Sequence, residues 1–225
     1  MDHSNNDEAC DLSLQPSELG TKEYWNAVYE RDKRNYENHG DIGEVWFGED
    51  SELRVLSWLQ KNVHKESRII DIGCGNGMML VELAREGYKK LTGVDYSPKA
   101  IELCSKIMKS QSFDHIELKI ADLTEENCHF ENFNIALDKG TYDAICLNPD
   151  NAVFKQKNYI KNVSNLLCTD GLFIITSCNW TEGELIKHFE SDFTHYQTIP
   201  TPSFKFGGKV GNVVTSLVFK RKTDS

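Results

Sequence analysis

Ile69-Ile70-Asp71-Ile72-Gly73-Cys74-Gly75-Asn76-Gly77 is the stretch on which the reading of this chain turns. An isoleucine-rich strand pattern runs into three glycines at alternate positions, and an apolar helical pattern begins at Met78. Glycine lets the backbone turn tightly and lets a ligand approach with no Cβ in the way. In open α/β sheets, ligands bind at the carboxyl ends of the strands. A dinucleotide fingerprint would put its third glycine where Met78 stands, so the spacing is poor for seating a pyrophosphate on the helix N-terminus. The loop suits a ligand whose amino-acid part lies across it. Asp71, just ahead of the glycines, offers a negative charge to an ammonium group.

Outward from this segment the pattern alternates. Strands are expected at 68–72, 90–94, 116–120, 133–137 and 172–176, and helices at 78–86, 98–109, 159–167 and 182–189. Pro98 stands in the first turn of its helix, where a missing N–H costs nothing. Alternating β and α elements with apolar strands predict a doubly wound α/β fold: a mostly parallel sheet covered on both faces. Two amphipathic helices, over 17–38 and 51–62, precede the first strand as a helical extension. Two tail strands, near 196–199 and 212–219, flank a Pro/Gly-rich loop. The expected organisation is a disordered 1–16 and one domain over 17–222. Within it, 17–66 is the extension, 67–178 the cofactor-binding core and 179–222 the C-terminal helix and hairpin.

Two carboxylates follow the glycine loop on successive strand ends. Asp95 closes Leu91-Thr92-Gly93-Val94, and an acidic residue at the end of strand two can accept both hydroxyls of a ribose. Asp122, with Leu123 beside it, follows strand three, where it can accept from an adenine amino group. Either alone is common turn chemistry; the order of all three is informative. Together they resemble the class I S-adenosylmethionine-dependent methyltransferases, over residues 68 to about 177. The resemblance implies a seven-stranded Rossmann-like sheet of order 3-2-1-4-5-7-6 and S-adenosylmethionine as cofactor. Gly73, Gly75 and Gly77 would face its methionine part, Asp95 its ribose, and Asp122 and Leu123 its adenine; Asp71, Asn76 and Tyr96 are also expected to bind the cofactor.

The methyl group would then sit above the end of strand four, at Asp138-Lys139-Gly140-Thr141-Tyr142-Asp143. Asp138 is therefore expected near the sulfonium or the incoming nucleophile, serving both cofactor and catalysis. Asn148-Pro149-Asp150 lies too far past the strand, and lacks an aromatic residue, to be an amino-group methylation motif. It reads as a turn or helix start. Aromatic residues gather in segments read as loops: Trp46, Phe47, Tyr142, Trp180, Phe204 and Phe206. An apolar channel favours the neutral form of a lysine, and aromatic faces attract methylated ammonium. Trp46, Phe47 and Tyr142 are expected to wall such a channel, with Asp138 orienting the amine.

The segments Gly43–Gly48, Asp138–Asp143, Leu147–Ala152, Thr176–Thr181 and Pro200–Gly208 are similar to one family. It is the eukaryotic elongation factor 1-alpha lysine methyltransferase 2 family, also called methyltransferase-like protein 10. The likeness runs from about Leu19 to Lys220. It implies methylation, up to the trimethyl state, of a lysine on translation elongation factor 1-alpha, in the cytoplasm and also the nucleus. A small-molecule or RNA acceptor, or a non-catalytic cofactor-binding adaptor, are the competing readings.

Bulk properties bound these. The 225 residues suit one domain, and a net charge of −10 argues against a dedicated binder of nucleic acid, whose phosphates call for a basic surface. Seven scattered cysteines without a CxxC pair suggest neither a zinc site nor a disulfide framework, so no metal is expected. The opening Met1-to-Asp11 stretch is polar and acidic, unlike a signal peptide, and no apolar run is long enough to span a bilayer. A monomer is the default.

Overall fold

The computed structural model describes residues 14–126, 128–206, 209–212 and 214–223. The expected disorder of 1–16 falls mainly outside them. A 3-10 turn, Glu18–Gly20, precedes α1 (Lys22–His39) and α2 (Glu49–Asn62). The core then runs β1 (Arg68–Ile72), α3 (Met78–Arg85), β2 (Lys90–Asp95), α4 (Pro98–Ser110), β3 (Glu117–Ile120) and β4 (Phe133–Lys139). It continues α5 (Thr141–Cys146), α6 (Ala152–Leu166), β5 (Leu167–Ser177), α7 (Glu182–Phe189) and β6 (Phe193–Ile199). A small hairpin, β7 (Ser203–Phe206) and β8 (Lys209–Asn212), leads into β9 (Thr215–Arg221).

The main sheet has seven strands in the order β3-β2-β1-β4-β5-β9-β6. Strands β1 to β5 are parallel, while β9 inserts antiparallel between β5 and β6. Since β7 and β8 form their own two-stranded sheet, β9 is the seventh strand of the main one, and the order is the one expected.

Two apolar clusters cover the two faces. One gathers residues of α2, α3 and α4, such as Leu59, Leu80 and Leu103, over Ile69 and Leu91. The other sets α5, α6 and α7, through Tyr142, Tyr159 and Phe189, against Ile70, Phe173 and Phe219. Helix α1 packs on α4, tied by Lys33 to Glu102 (2.7 Å) and Lys106 to Glu37 (3.0 Å).

Three expectations are corrected. Residues 141–146 form a helix rather than a turn. Helix α6 starts at Ala152, seven residues before the expected Tyr159, and ends at Leu166. Strand β5 begins at Leu167, five residues before the expected 172, and Asp170 lies within it at φ 63°. The register of β4 against β5 is irregular between Phe133 and Ile135, which accommodates the extra length.

Candidate active site

A cavity of about 220 Å³ opens at the carboxyl ends of the parallel strands. Its floor is the glycine loop. Gly73 donates from its backbone to the Val94 carbonyl (2.7 Å) and holds φ at 68°, in the left-handed region. A Cβ there would run into the Thr141 hydroxyl, which itself donates to the Ile72 carbonyl (2.8 Å). Only glycine permits both the turn and this packing against the start of α5. Asn76 donates to the Ile42 and Glu44 carbonyls (3.1 and 3.3 Å), joining the loop to the segment that carries Trp46 and Phe47.

Asp95 and Asp122 both line the cavity. Asp95 is buried, and its two oxygens take one backbone N–H each, from Gly75 (3.0 Å) and Ser97 (2.9 Å). Each oxygen keeps a lone pair for one of two adjacent hydroxyls. Burial pushes the Asp95 carboxyl up to about 6, against the pull of those two N–H groups. Asp122 takes the Thr124 N–H (2.8 Å) and hydroxyl (2.6 Å) on one oxygen, leaving the other without a protein donor among the described residues. Tyr96 and Leu123 complete this end, and Tyr96 donates to the Thr21 carbonyl (3.2 Å).

The opposite wall comes from the N-terminal extension. Leu19, Gly20, Trp25 and Tyr29 line the cavity. The Trp25 indole donates to the Leu19 carbonyl (2.7 Å), and the Ser17 N–H to the Leu147 carbonyl (2.9 Å). Gly20 lies so close to the Leu147–Asn148 backbone that any side chain would collide with it. The sequence pattern marked these residues only as an amphipathic helix; their role needs the fold that brings residue 20 beside residue 148.

At the reacting end the structure reassigns several residues. Asp138 is 2% exposed and does not line the cavity. One carboxyl oxygen accepts from the Thr141 N–H (2.8 Å), the other from the Tyr142 N–H (3.0 Å) and the Tyr159 hydroxyl. It therefore caps the start of α5, where free N–H groups need an acceptor. Burial raises its carboxyl to about 7 despite those donors. Tyr142 is likewise turned into the core, with its hydroxyl 2.8 Å from His188 Nδ1. Neither lines the cavity. Asp71 is also buried and does not line the cavity. Burial, opposed by the Lys139 ammonium, pushes it up to about 8. Of the aromatic residues, Trp46 and Phe47 line the cavity as expected, while Trp180 is buried in the core. The side chains of Phe204 and Phe206 lie outside the described residues.

Phe47 sits at φ 65°, unusual for a bulky residue, and its ring packs directly on the Gly140 backbone. Lys139 donates to the Trp46 carbonyl (3.1 Å) and pairs with the buried Glu52 (3.3 Å). Lys139, Asp143, Asn148, Tyr159, Cys178 and Asn179 all line the cavity, and sequence reasoning singled out none of them as site residues. Asn148 still belongs to the turn expected of Asn-Pro-Asp, its side-chain oxygen accepting from the Asp150 N–H (2.9 Å). The six cysteines among the described residues are free. No cluster of three or more potential metal ligands occurs among them. No described helix is long and apolar enough to cross a membrane.

This donor set fits S-adenosylmethionine: carboxylates at β2 and β3 for ribose and adenine, a backbone floor for the methionine part, and an aromatic wall at β4. Such a fold and site define a class I methyltransferase. A family model described as "Methyltransferase domain" matches residues 63–219. "EEF1A lysine methyltransferase 2" of Homo sapiens is 47% identical over 207 residues, covering 92% of this chain and 88% of the relative. The Mus musculus protein of that name is 46% identical over 93% of this chain and 86% of its own. "Protein-lysine N-methyltransferase EFM4" of Saccharomyces cerevisiae is 35% identical over 93% and 97%. The chain belongs to the elongation factor 1-alpha lysine methyltransferase 2 family. Among solved structures, N-methyltransferase NodS from Bradyrhizobium japonicum, in complex with S-adenosyl-l-homocysteine, superposes with a TM-score of 0.66 at 17% identity, covering 88% of this chain and 99% of that one. It shares the fold.

Proposed function

We propose that this protein transfers a methyl group from S-adenosylmethionine to a lysine of translation elongation factor 1-alpha. The observation that carries the proposal is the near full-length likeness to relatives named for that reaction, together with the intact ribose carboxylate Asp95.

The chain's own residues have three tasks. Asp95, Asp122 and the glycine loop hold the cofactor, which when bound supplies an electrophilic methyl group. Trp46 and Phe47 enclose the target side chain in an apolar wall beside Gly140. A free lysine titrates near about 10.4, so desolvation by that wall raises the share of reactive amine near neutral pH. Alignment of the amine with the methyl group can lower a barrier of this kind by roughly 7–11 kcal/mol. The proton leaves to water.

The test incubates the purified protein with labelled S-adenosylmethionine and an extract lacking the endogenous enzyme. The expected outcome is one labelled protein of the mass of elongation factor 1-alpha carrying methyl-lysine. Label only in RNA or small molecules would remove the lysine assignment. A location in the cytoplasm, extending to the nucleus, belongs to the same proposal and is read by imaging the tagged protein.

A further inference from the structure

With Asp138 committed to α5, the acceptor end of the cavity retains one other buried carboxylate, Asp143. It stands in the first turn of α5 and meets the end of β5 across the cavity wall. One oxygen accepts from the Ser177 hydroxyl (2.6 Å), the other from the Cys178 N–H (2.8 Å). Cys178 and Asn179 line the cavity beside it. Asp143 is 4% exposed, yet no lysine, arginine or histidine pairs with it among the described residues. The neighbouring cation on its strand side, Lys139, is engaged by Glu52 and the Trp46 carbonyl. Buried charges are costly and are ordinarily paired. The Ser177 hydroxyl and the Cys178 N–H fix this carboxyl in place at the cavity lining, and burial raises it above its ordinary value against the pull of those donors.

Two cations enter such a site: the sulfonium of the cofactor and the ammonium of the target lysine. The sheet order separates them. Asp95 and Asp122 stand at the ends of β2 and β3, on one side of β1, while Asp143 stands between the ends of β4 and β5, on the other. A cofactor held at β2 and β3 would, as the family resemblance implies, carry its methyl group toward β4, which would leave the β5 side to the acceptor.

We propose that Asp143 is the carboxylate that receives and orients the ε-ammonium group of the target lysine. The inference rests on the proposed lysine specificity. After the ammonium gives one proton to water, the amine lone pair forms the N–C bond as the C–S bond breaks, with the pair left on sulfur. The product methylammonium carries the positive charge and again faces Asp143. The carboxylate thus binds the entering cation and the leaving one.

The experiment first labels elongation factor 1-alpha with the wild-type protein and identifies the modified lysine by mass spectrometry. No labelling at this stage counts against the proposed function and is thereby distinguished from failure of the inference. Calorimetry then measures binding of the unmodified acceptor, and of its variant with methionine at that lysine, to protein loaded with S-adenosylhomocysteine. Wild-type protein is expected to bind the lysine form at least tenfold more tightly. Asp143→Asn is expected to lose that preference while keeping its affinity for S-adenosylhomocysteine. Equal wild-type binding of the lysine and methionine forms would overturn the proposal, even if the variant failed to fold. So would a variant that retained the preference. Selective loss of S-adenosylmethionine over S-adenosylhomocysteine affinity, with the lysine preference intact, would assign Asp143 to the sulfonium instead.

Discussion

The two ends of the cavity are built in different ways. At the β1–β3 end the cavity is lined by glycine backbone and carboxylates within a few residues of a strand end: Gly73, Gly75, Asp95 and Asp122. At the β4–β5 end the wall is assembled from residues far apart in the chain, with Trp46 and Phe47 laid over Gly140 and anchored through Lys139 and Glu52. Local construction suits a cofactor whose shape is constant. Assembly from distant segments lets the acceptor wall change without disturbing the cofactor floor.

If that division holds, substitutions at the two ends should separate cofactor affinity from acceptor handling. The largest effect is expected of Asp95→Ala, which removes the acceptor of two ribose hydroxyls and orphans the Gly75 and Ser97 amides. Two hydrogen bonds to a charged group, at about 1.5–3 kcal/mol each, amount to a loss of about a hundredfold or more in S-adenosylhomocysteine affinity by calorimetry. An affinity within threefold of wild type would break the comparison. Gly140→Ala comes next. A Cβ there meets the Phe47 ring at 2.9 Å on a backbone at φ 88°, so the wall must shift. Misplacement of about 1 Å near the chemistry can cost up to about a hundredfold in turnover, and a tenfold fall in kcat with cofactor affinity retained is the expected reading.

Lys139→Met tests the anchor itself. It frees the Trp46 carbonyl and leaves Glu52 buried without its cation. The expected result is an acceptor KM raised about fivefold, roughly 1 kcal/mol, with a changed tryptophan emission and little change in cofactor affinity. Glu52→Gln in the same background should restore part of the loss by removing the orphaned charge.

The smallest effect concerns pH. Burial pushes the Asp71 carboxyl up to about 8 in the folded protein, above its ordinary value. The folded chain therefore keeps a proton that the unfolded chain releases near about 4. Stability from this group is fully present at acid pH and falls as pH rises from about 4 through 8. Asp71→Asn should accordingly raise the melting midpoint by several degrees at pH 8.5 and by little at pH 5, as read by scanning calorimetry. The opposite order would show that Asp71 is held ionised by Lys139. At the cofactor end, Asp95 at about 6 predicts weaker S-adenosylhomocysteine binding below pH 6, because a protonated carboxyl loses one of its acceptor sites.

Much of the fold was legible in the chain because its signals are local. The apolar strands, the Pro98 helix start and the three glycines each depend on neighbours within a few positions. Short helix α5 was missed because six residues that follow Asp138-Lys139-Gly140 are too few to show a helical period and look like a loop. The long anchor contacts, Trp46 to Lys139 and Gly20 to Asn148, have no signature in either partner alone.

Sequence alone marked the cofactor loop and the two carboxylates at β2 and β3, since a strand end dictates where its next residue points, and the sheet order followed from the family resemblance those motifs carry. Tertiary structure decided which carboxylate lines the cavity at the β4–β5 end. Tyr142 and Asp143 are adjacent, but successive residues on a helix are turned by about 100°. Once 141–146 coils, Asp138 is consumed in capping it, Tyr142 enters the core, and Asp143 is carried to the cavity wall.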